Sequence, residues 1–131
     1  MLALVVFASC ETQTAFRSEK KLNQQIQAHT WKKIRLSPSN LEDRNEDWIF
    51  NNGTVYRLIY DKDNNQIETS DTGTYNIDAK LSYSYLTIRD FKRVLDKLNA
   101  RWTIVELTDD VMAIAYNDSN TGVVQREFVP K

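Results

Sequence analysis

The sequence predicts a mostly β fold, an antiparallel up-and-down barrel of about eight strands with one short helix on its N-terminal side. Three observations point there. First, Asp47 to Tyr60, DWIFNNGTVYRLIY, reads as two β-rich arms around Asn52-Gly53. Asn-Gly supplies the two positive-φ positions of a type I′ turn, whose twist suits an antiparallel hairpin. Second, further β-rich segments follow at meander spacing, separated by short turns rich in Asn, Asp and Ser. Third, aromatic residues make up 11% of the chain, enough for a compact β protein and too much for a disordered one. Sequential antiparallel strands stack as a sandwich or close as a barrel, and closure removes the exposed edges.

The elements follow in order. Ser18 to Ala28 holds good helix formers with Leu22 and Ile26 four apart, and Ser18 is a suitable cap. The narrow apolar stripe predicts a short helix closing one end of the body. Thr30 to Leu36 is the first strand, with Ile34 and Leu36 on one face and Trp31 on the other. Ser37 to Arg44 is a turn-rich connection. In the central hairpin Trp48 and Phe50 share a side; Tyr56, Leu58 and Tyr60 share another, with Val55, Arg57 and Ile59 opposite.

Asp61 to Asn65 is a turn by composition. A strand runs from about Ile67 to Ile77, with a break near Ser70-Asp71, and Tyr83 to Arg89 is the next. In Asp90 to Asn99, Phe91, Val94, Leu95 and Leu98 have the i, i+3, i+4, i+7 spacing of a helix, so this part reads as a short helix or an irregular crossover. Arg101 to Leu107 pairs as a hairpin with Val111 to Tyr116, and Val123 to Val129 is the last strand, with Val124, Arg126 and Phe128 on one side.

Composition sets the outer bounds. At 131 residues the chain is one domain with room for a sizeable core. Its 17 basic and 18 acidic residues leave a net charge of −1, which argues against a general nucleic-acid or anionic-membrane binder. One cysteine allows no intrachain disulfide.

The position of that cysteine says more. Leu2 to Phe7 is apolar, then Ala8-Ser9-Cys10 follows and the chain turns polar. This resembles a bacterial lipoprotein signal ending in a lipobox, in which the cysteine receives diacylglycerol. No Lys or Arg precedes the run and the run is short, so the natural start is expected upstream of Met1, or the sequence begins inside the signal. The other reading of the same residues is a buried N-terminal strand with a free Cys10. The lipoprotein reading divides the chain into a signal over 1–9, a tether over 10–17 and a barrel domain over 18–131. It implies a membrane partner reached through the lipid, and an address at the bacterial cell envelope, on the outer membrane.

From Trp31 to the end, the chain resembles the lipocalin-like domains common in lipoproteins of Bacteroidetes. The matching stretches are His29-Thr30-Trp31, Trp48 to Thr54, Thr72 to Tyr75, Leu86-Thr87-Ile88, Trp102 to Thr108 and Glu127-Phe128. Lipocalins carry Gly-x-Trp on the first strand with an Arg near the last strand over the Trp. Here His29 replaces the Gly, and the resemblance implies that Arg126 packs over Trp31 by a cation–π contact.

Few residues suggest catalysis. His29 is the only histidine, and the carboxylate pairs Glu42-Asp43, Asp61/Asp63 and Asp109-Asp110 fall in turns, where Asp serves turn geometry. Asp61 to Asn65 faintly resembles a calcium loop but lacks its central Gly and distal Glu. No metal site, cofactor or catalytic set is expected, and a hydrolase is a distant third reading.

The aromatics have a binding meaning. Either they simply fill the barrel, or some line a cup for an apolar or sugar-like molecule. The lining residues expected on the second reading are Trp48, Phe50, Tyr56, Leu58, Tyr75, Leu86, Ile104, Met112 and Phe128. The leading expectation is a non-enzymatic binding or accessory module with an apolar small-molecule ligand. The runner-up is a structural lipoprotein subunit that docks onto a larger envelope protein assembly.

Overall fold

Eight antiparallel strands follow one another round a closed barrel, each hydrogen-bonded to its sequence neighbours, and the last returns to the first. The computed structural model describes residues 17–34, 44–61, 63, 65–93 and 97–131. The lipobox with Cys10, most of the Ser37 to Arg44 connection, and residues 94–96 lie outside the described residues.

Helix α1, Glu19–Gln27, starts where its cap predicts. The Ser18 hydroxyl accepts a hydrogen bond from Lys21 N at 3.2 Å, satisfying one of the free amides of the first turn. Leu22 and Ile26 are buried and join the barrel core, so the helix plugs one end. Strand β1, Thr30–Lys33, follows within three residues. The Trp31 indole N–H donates to Ile26 O at 2.8 Å and ties the helix end to the strand.

Strands β2, Glu46–Asn51, and β3, Thr54–Tyr60, form the expected hairpin. Asn52 and Gly53 have φ of 48° and 86°, the left-handed pair that a type I′ turn requires. Strand β4, Ile67–Ala79, pairs with β3 and with β5, Ser84–Arg89. Strands β6, Arg101–Leu107, β7, Met112–Asp118, and β8, Gly122–Pro130, complete the circuit. Closure is antiparallel, with Trp31 opposite Pro130 and Lys33 opposite Phe128, and it is extended by Ile34 N–H to Glu127 O at 2.8 Å and Lys131 N–H to Thr30 O at 2.9 Å.

The three tryptophans are all fully buried. Each indole N–H has a partner: Ile26 O for Trp31, Glu46 Oε1 for Trp48 and Leu98 O for Trp102. Around Trp48 the rings of Phe128, Phe91 and Phe50 lie at centroid distances of 4.8, 5.7 and 6.2 Å, and Phe50 meets Tyr75 edge-on at 5.1 Å.

Trp31 and Ile34 stand on opposite faces of β1 as expected, and Trp31 takes the interior because β1 pairs it with the inward Trp48; Ile34 is exposed and Leu36 lies outside the described residues. Elsewhere the structure departs from the sequence reading. Tyr56 and Leu58 belong to the outer face of β3, which turns Val55, Arg57 and Ile59 inward. Strand β4 is continuous through Ser70-Asp71; its register shift lies lower, opposite Ile59 and Tyr60. Of the two readings of the β5–β6 connection, the described residues follow the irregular crossover: 90–93 and 97–99 form no helix, Asp90 and Lys97 take left-handed φ of 72° and 53°, and Phe91 and Leu98 are both buried. Arg126 does not cover Trp31. Trp31 stands opposite Pro130, four residues along β8, which is about 14 Å at strand rise. The Arg126 guanidinium donates instead to Gln125 O.

A bulge explains a change of face in β6. Ile104 pairs with Ile114 but Glu106 pairs with Ala113, so Val105 is the extra residue. Trp102 points inward before the bulge and Leu107 points inward after it, although they stand five positions apart, an offset that in a regular strand puts them on opposite faces. Gly73 marks a different constraint. A Cβ there would stand 2.6 Å from Arg89 O and 3.0 Å from the Phe91 ring. Gly73→Ala is therefore expected to destabilise the fold by about 1–3 kcal/mol, the usual range for overpacking, read as a lowered urea midpoint at unchanged slope.

Candidate functional site

The interior of the barrel is not uniformly apolar. At the end away from α1, four charged side chains are buried together: Lys33 of β1, Glu46 of β2, Arg57 of β3 and Asp71 of β4. Arg57 is 1% exposed. Its guanidinium lies 2.9 Å from Glu46 Oε1 and 3.4 Å from Asp71 Oδ2, while Lys33 Nζ lies 3.0 Å from Glu46 Oε2. The same guanidinium stands 5.1 Å from the Phe91 ring centroid and 5.9 Å from that of Trp48, so cation–π contact adds to the ion pairs.

Asp71 also fastens the β5–β6 connection. Its carboxylate accepts the backbone N–H groups of Thr72, Lys92 and Arg93 at 3.0, 2.9 and 3.1 Å. Asn99 brackets the same connection from the other side, accepting from Phe91 N and donating to Phe91 O. Phe91 thus seals the barrel over the cluster. Two cations face two carboxylates, and the groups are used on each other.

Burial is the largest single influence on the Glu46 carboxyl and pushes it up. The charges of Arg57 and Lys33, with hydrogen bonds from Trp48 and Lys33, outweigh that and hold it below its ordinary value of 4.5. A carboxylate depressed in the fold stabilises it fully above 4.5, and that contribution is lost as pH falls through the lower folded-state value.

Two clefts open on the surface near α1. One, of about 320 Å³, runs between Asn23 and Gln27 of α1, the Asn52-Gly53 turn, and Tyr75, Asn76 and Ile77 of β4. Gln27 Oε1 accepts the backbone N–H of Asn52 at 2.8 Å and joins helix to turn across it. The Tyr75 hydroxyl is buried and has no hydrogen-bond partner among the described residues. Burial raises its pKa, and the Gly53 backbone opposes the shift. The second cleft, of about 270 Å³, lies between Arg17 and Leu22, the Lys80 to Ser84 turn, and Ile104 to Glu106.

A family model for lipocalin-like domains matches residues 14–114. The chain belongs to the lipocalin-like domain family. The match covers α1 and the strands as far as the middle of β7; the remainder of β7 and the closing strand β8 complete this lipocalin-like barrel in the structure. No curated protein sequence matches the chain. A lipocalin-like barrel is a binding fold, and the fold alone assigns no ligand.

The nine residues expected to line a cup divide into three groups. Trp48, Phe50, Tyr75, Leu86, Met112 and Phe128 are buried in the core. Ile104 is half-buried and borders the second cleft. Tyr56 and Leu58 stand on the outer face of β3. His29 meets Trp31 edge-on at 5.3 Å, and its Nε2 lies 3.7 Å from Asp109 Oδ1, too far for a hydrogen bond.

Sequence reasoning missed the charged cluster, although one signal was present. Arg57 sits between Val55 and Ile59 on an alternating apolar face, and a charge in that position demands a buried partner. Replacing Arg57 by Leu is expected to lower stability by about 3–5 kcal/mol at neutral pH, because two carboxylates stay buried without it. Glu46→Gln should also flatten the acid limb below pH 4.5, measured as unfolding free energy against pH.

Proposed function

We propose that this lipocalin-like domain is a non-enzymatic binding module of the bacterial cell envelope. A diacylglyceryl group on Cys10 holds it to the outer membrane, and it takes a small molecule in the cleft beside Tyr75. The observation that carries the reading is Tyr75, which lines that cleft and whose hydroxyl is buried without a hydrogen-bond partner among the described residues. An unmet buried hydroxyl is unfavourable until something bonds to it. Asn23, Asn52 and Asn76 line the same cleft, and Ile77 adds an apolar residue. These groups suit a molecule with an apolar face and a hydroxyl-bearing edge, such as a sugar-like ring.

The central alternative for a small molecule is the barrel interior, with Trp48, Phe50, Leu86, Met112 and Phe128 as its lining. An apolar ligand there has to part rings that lie 4.8 to 6.2 Å apart, which favours the cleft. The second functional reading is a structural subunit docked on a larger envelope assembly. It is favoured by the exposed apolar residues Leu81, Tyr83 and Val105.

Two measurements test the proposal. Protein purified from its own host and examined by native mass spectrometry should carry a small molecule. Tyr75→Phe should weaken its binding by about fivefold, equivalent to about 1 kcal/mol, and unchanged binding removes the cleft from consideration. Radiolabelled palmitate should enter the protein at Cys10, and Cys10→Ala should abolish both the label and membrane partition.

A further inference from the structure

The turn between β4 and β5 is unlike its neighbours at the same end of the barrel. The β2–β3 turn is Asn52-Gly53 and the β6–β7 turn is Thr108-Asp109-Asp110-Val111, and neither carries an exposed large apolar side chain. The β4–β5 turn instead carries Leu81 at 84% exposure and Tyr83 at 60%. Beside it stands Val105, pushed out of the β6 ladder by its bulge and 61% exposed. Ser84 pairs with Ile104, so the turn and the bulge are adjacent. Turn geometry needs none of these three side chains, and their grouping is an apolar outcrop on an otherwise charged chain.

The position of the outcrop identifies what covers it. Arg17, where the described chain begins, shares one cleft with Lys80, Ser82, Tyr83 and Val105. Its guanidinium donates to Leu107 O and Gln25 Oε1 and pins the start of the domain there. Six residues lie between Cys10 and Arg17, so seven residue steps separate the two, a reach of about 25 Å at full extension. A lipid on Cys10 therefore keeps this end of the barrel close to the headgroups.

We propose that Leu81, Tyr83 and Val105 form a foot that contacts the phospholipid bilayer at the root of the tether and sets the barrel's orientation. The inference rests on Cys10 as the point of attachment. Leu81 and Val105 enter the interfacial region, and Tyr83 places its ring there with its hydroxyl toward water, the usual disposition of an interfacial aromatic. Lys80 flanks them with a long stem and a charged head suited to phosphate. Glu106 and Asp78 are also close, so net charge does not draw the foot down. The contact is apolar and small, and it acts in concert with the tether instead of replacing it. The charged-cluster end of the barrel then points away from the membrane.

The test supplies the anchor chemically. Cys10 is the only cysteine, so the full chain couples through it to maleimide lipid in phosphatidylcholine vesicles with brominated acyl chains. A Tyr83→Trp variant reports on the foot. A Val123→Trp variant reports on the opposite end, beside the β7–β8 turn, where Val123 is 68% exposed. Each spectrum is read as the difference from the parent protein. On coupling, emission from position 83 should shift to the blue and be quenched severalfold more by brominated lipid than emission from position 123. Unshifted emission at 83, or a blue shift without bromolipid quenching as a second copy or a protein partner would produce, overturns the proposal. Because maleimide provides the attachment, a negative result speaks against the foot and not against acylation, which palmitate labelling decides separately.

Discussion

Closure of the sheet on itself governs the rest of this molecule. Strand β1 is only four residues long, yet it hydrogen-bonds to β2 on one side and β8 on the other. With eight strands the enclosed space holds little more than the inward side chains. Here those side chains include three tryptophans and two phenylalanines of the core, so the space is taken. The consequences run outward. The clefts beside α1 lie outside this packed interior, at the rim. Closure also leaves no unpaired strand edge, so the outer surface is free to differ from place to place.

The second constraint is electrostatic. Burying Arg57 requires that its charge be met within the barrel, and the fold meets it from two neighbouring strands. Glu46 then needs Lys33, and Asp71 gathers three backbone amides, its own neighbour Thr72 and the two residues that follow Phe91. A side chain one residue out of place leaves a buried charge uncompensated, which is far worse than a lost methyl group. The cluster thus selects one register for β1 to β4 and one seat for the β5–β6 connection. It closes the end opposite α1 by polar contacts, whereas Leu22 and Ile26 close the helical end by apolar ones. The barrel therefore has two chemically different poles. Both surface clefts and the exposed outcrop gather at the helical pole, the one nearest Cys10 along the chain.

Much of this architecture was legible in the residues. Ser18 with Leu22 and Ile26 marked the helix, and Asn52-Gly53 marked the central hairpin, because caps and type I′ turns depend on a few side chains at fixed spacing. The succession of short β-rich segments pointed to a closed meander. The facing of β3 was not legible. Tyr56, Leu58 and Tyr60 look more apolar as a set than Val55, Arg57 and Ile59, yet the second set is the inner one. The first set fits the outside because a tyrosine ring can lie flat with its hydroxyl wet or bonded, as Tyr60 bonds to Asp47. The helical spacing of Phe91 to Leu98 gave way to the irregular crossover for a related reason. Phe91 is drawn in by Trp48 and Arg57, neither of them local to the segment, and is bracketed by Asn99 at its end.

The sequence by itself determined the class of fold, the helix, the hairpin turn and the family, since each rests on interactions between residues close along the chain. Only the tertiary structure decided which face of each strand looks inward, that Arg57 is buried among partners up to fourteen residues away, and that Tyr75 has an unmet hydroxyl. Period-two alternation states that two faces differ without saying which is inside. That choice falls to whatever the closed barrel can pack and to whichever charges it can pair.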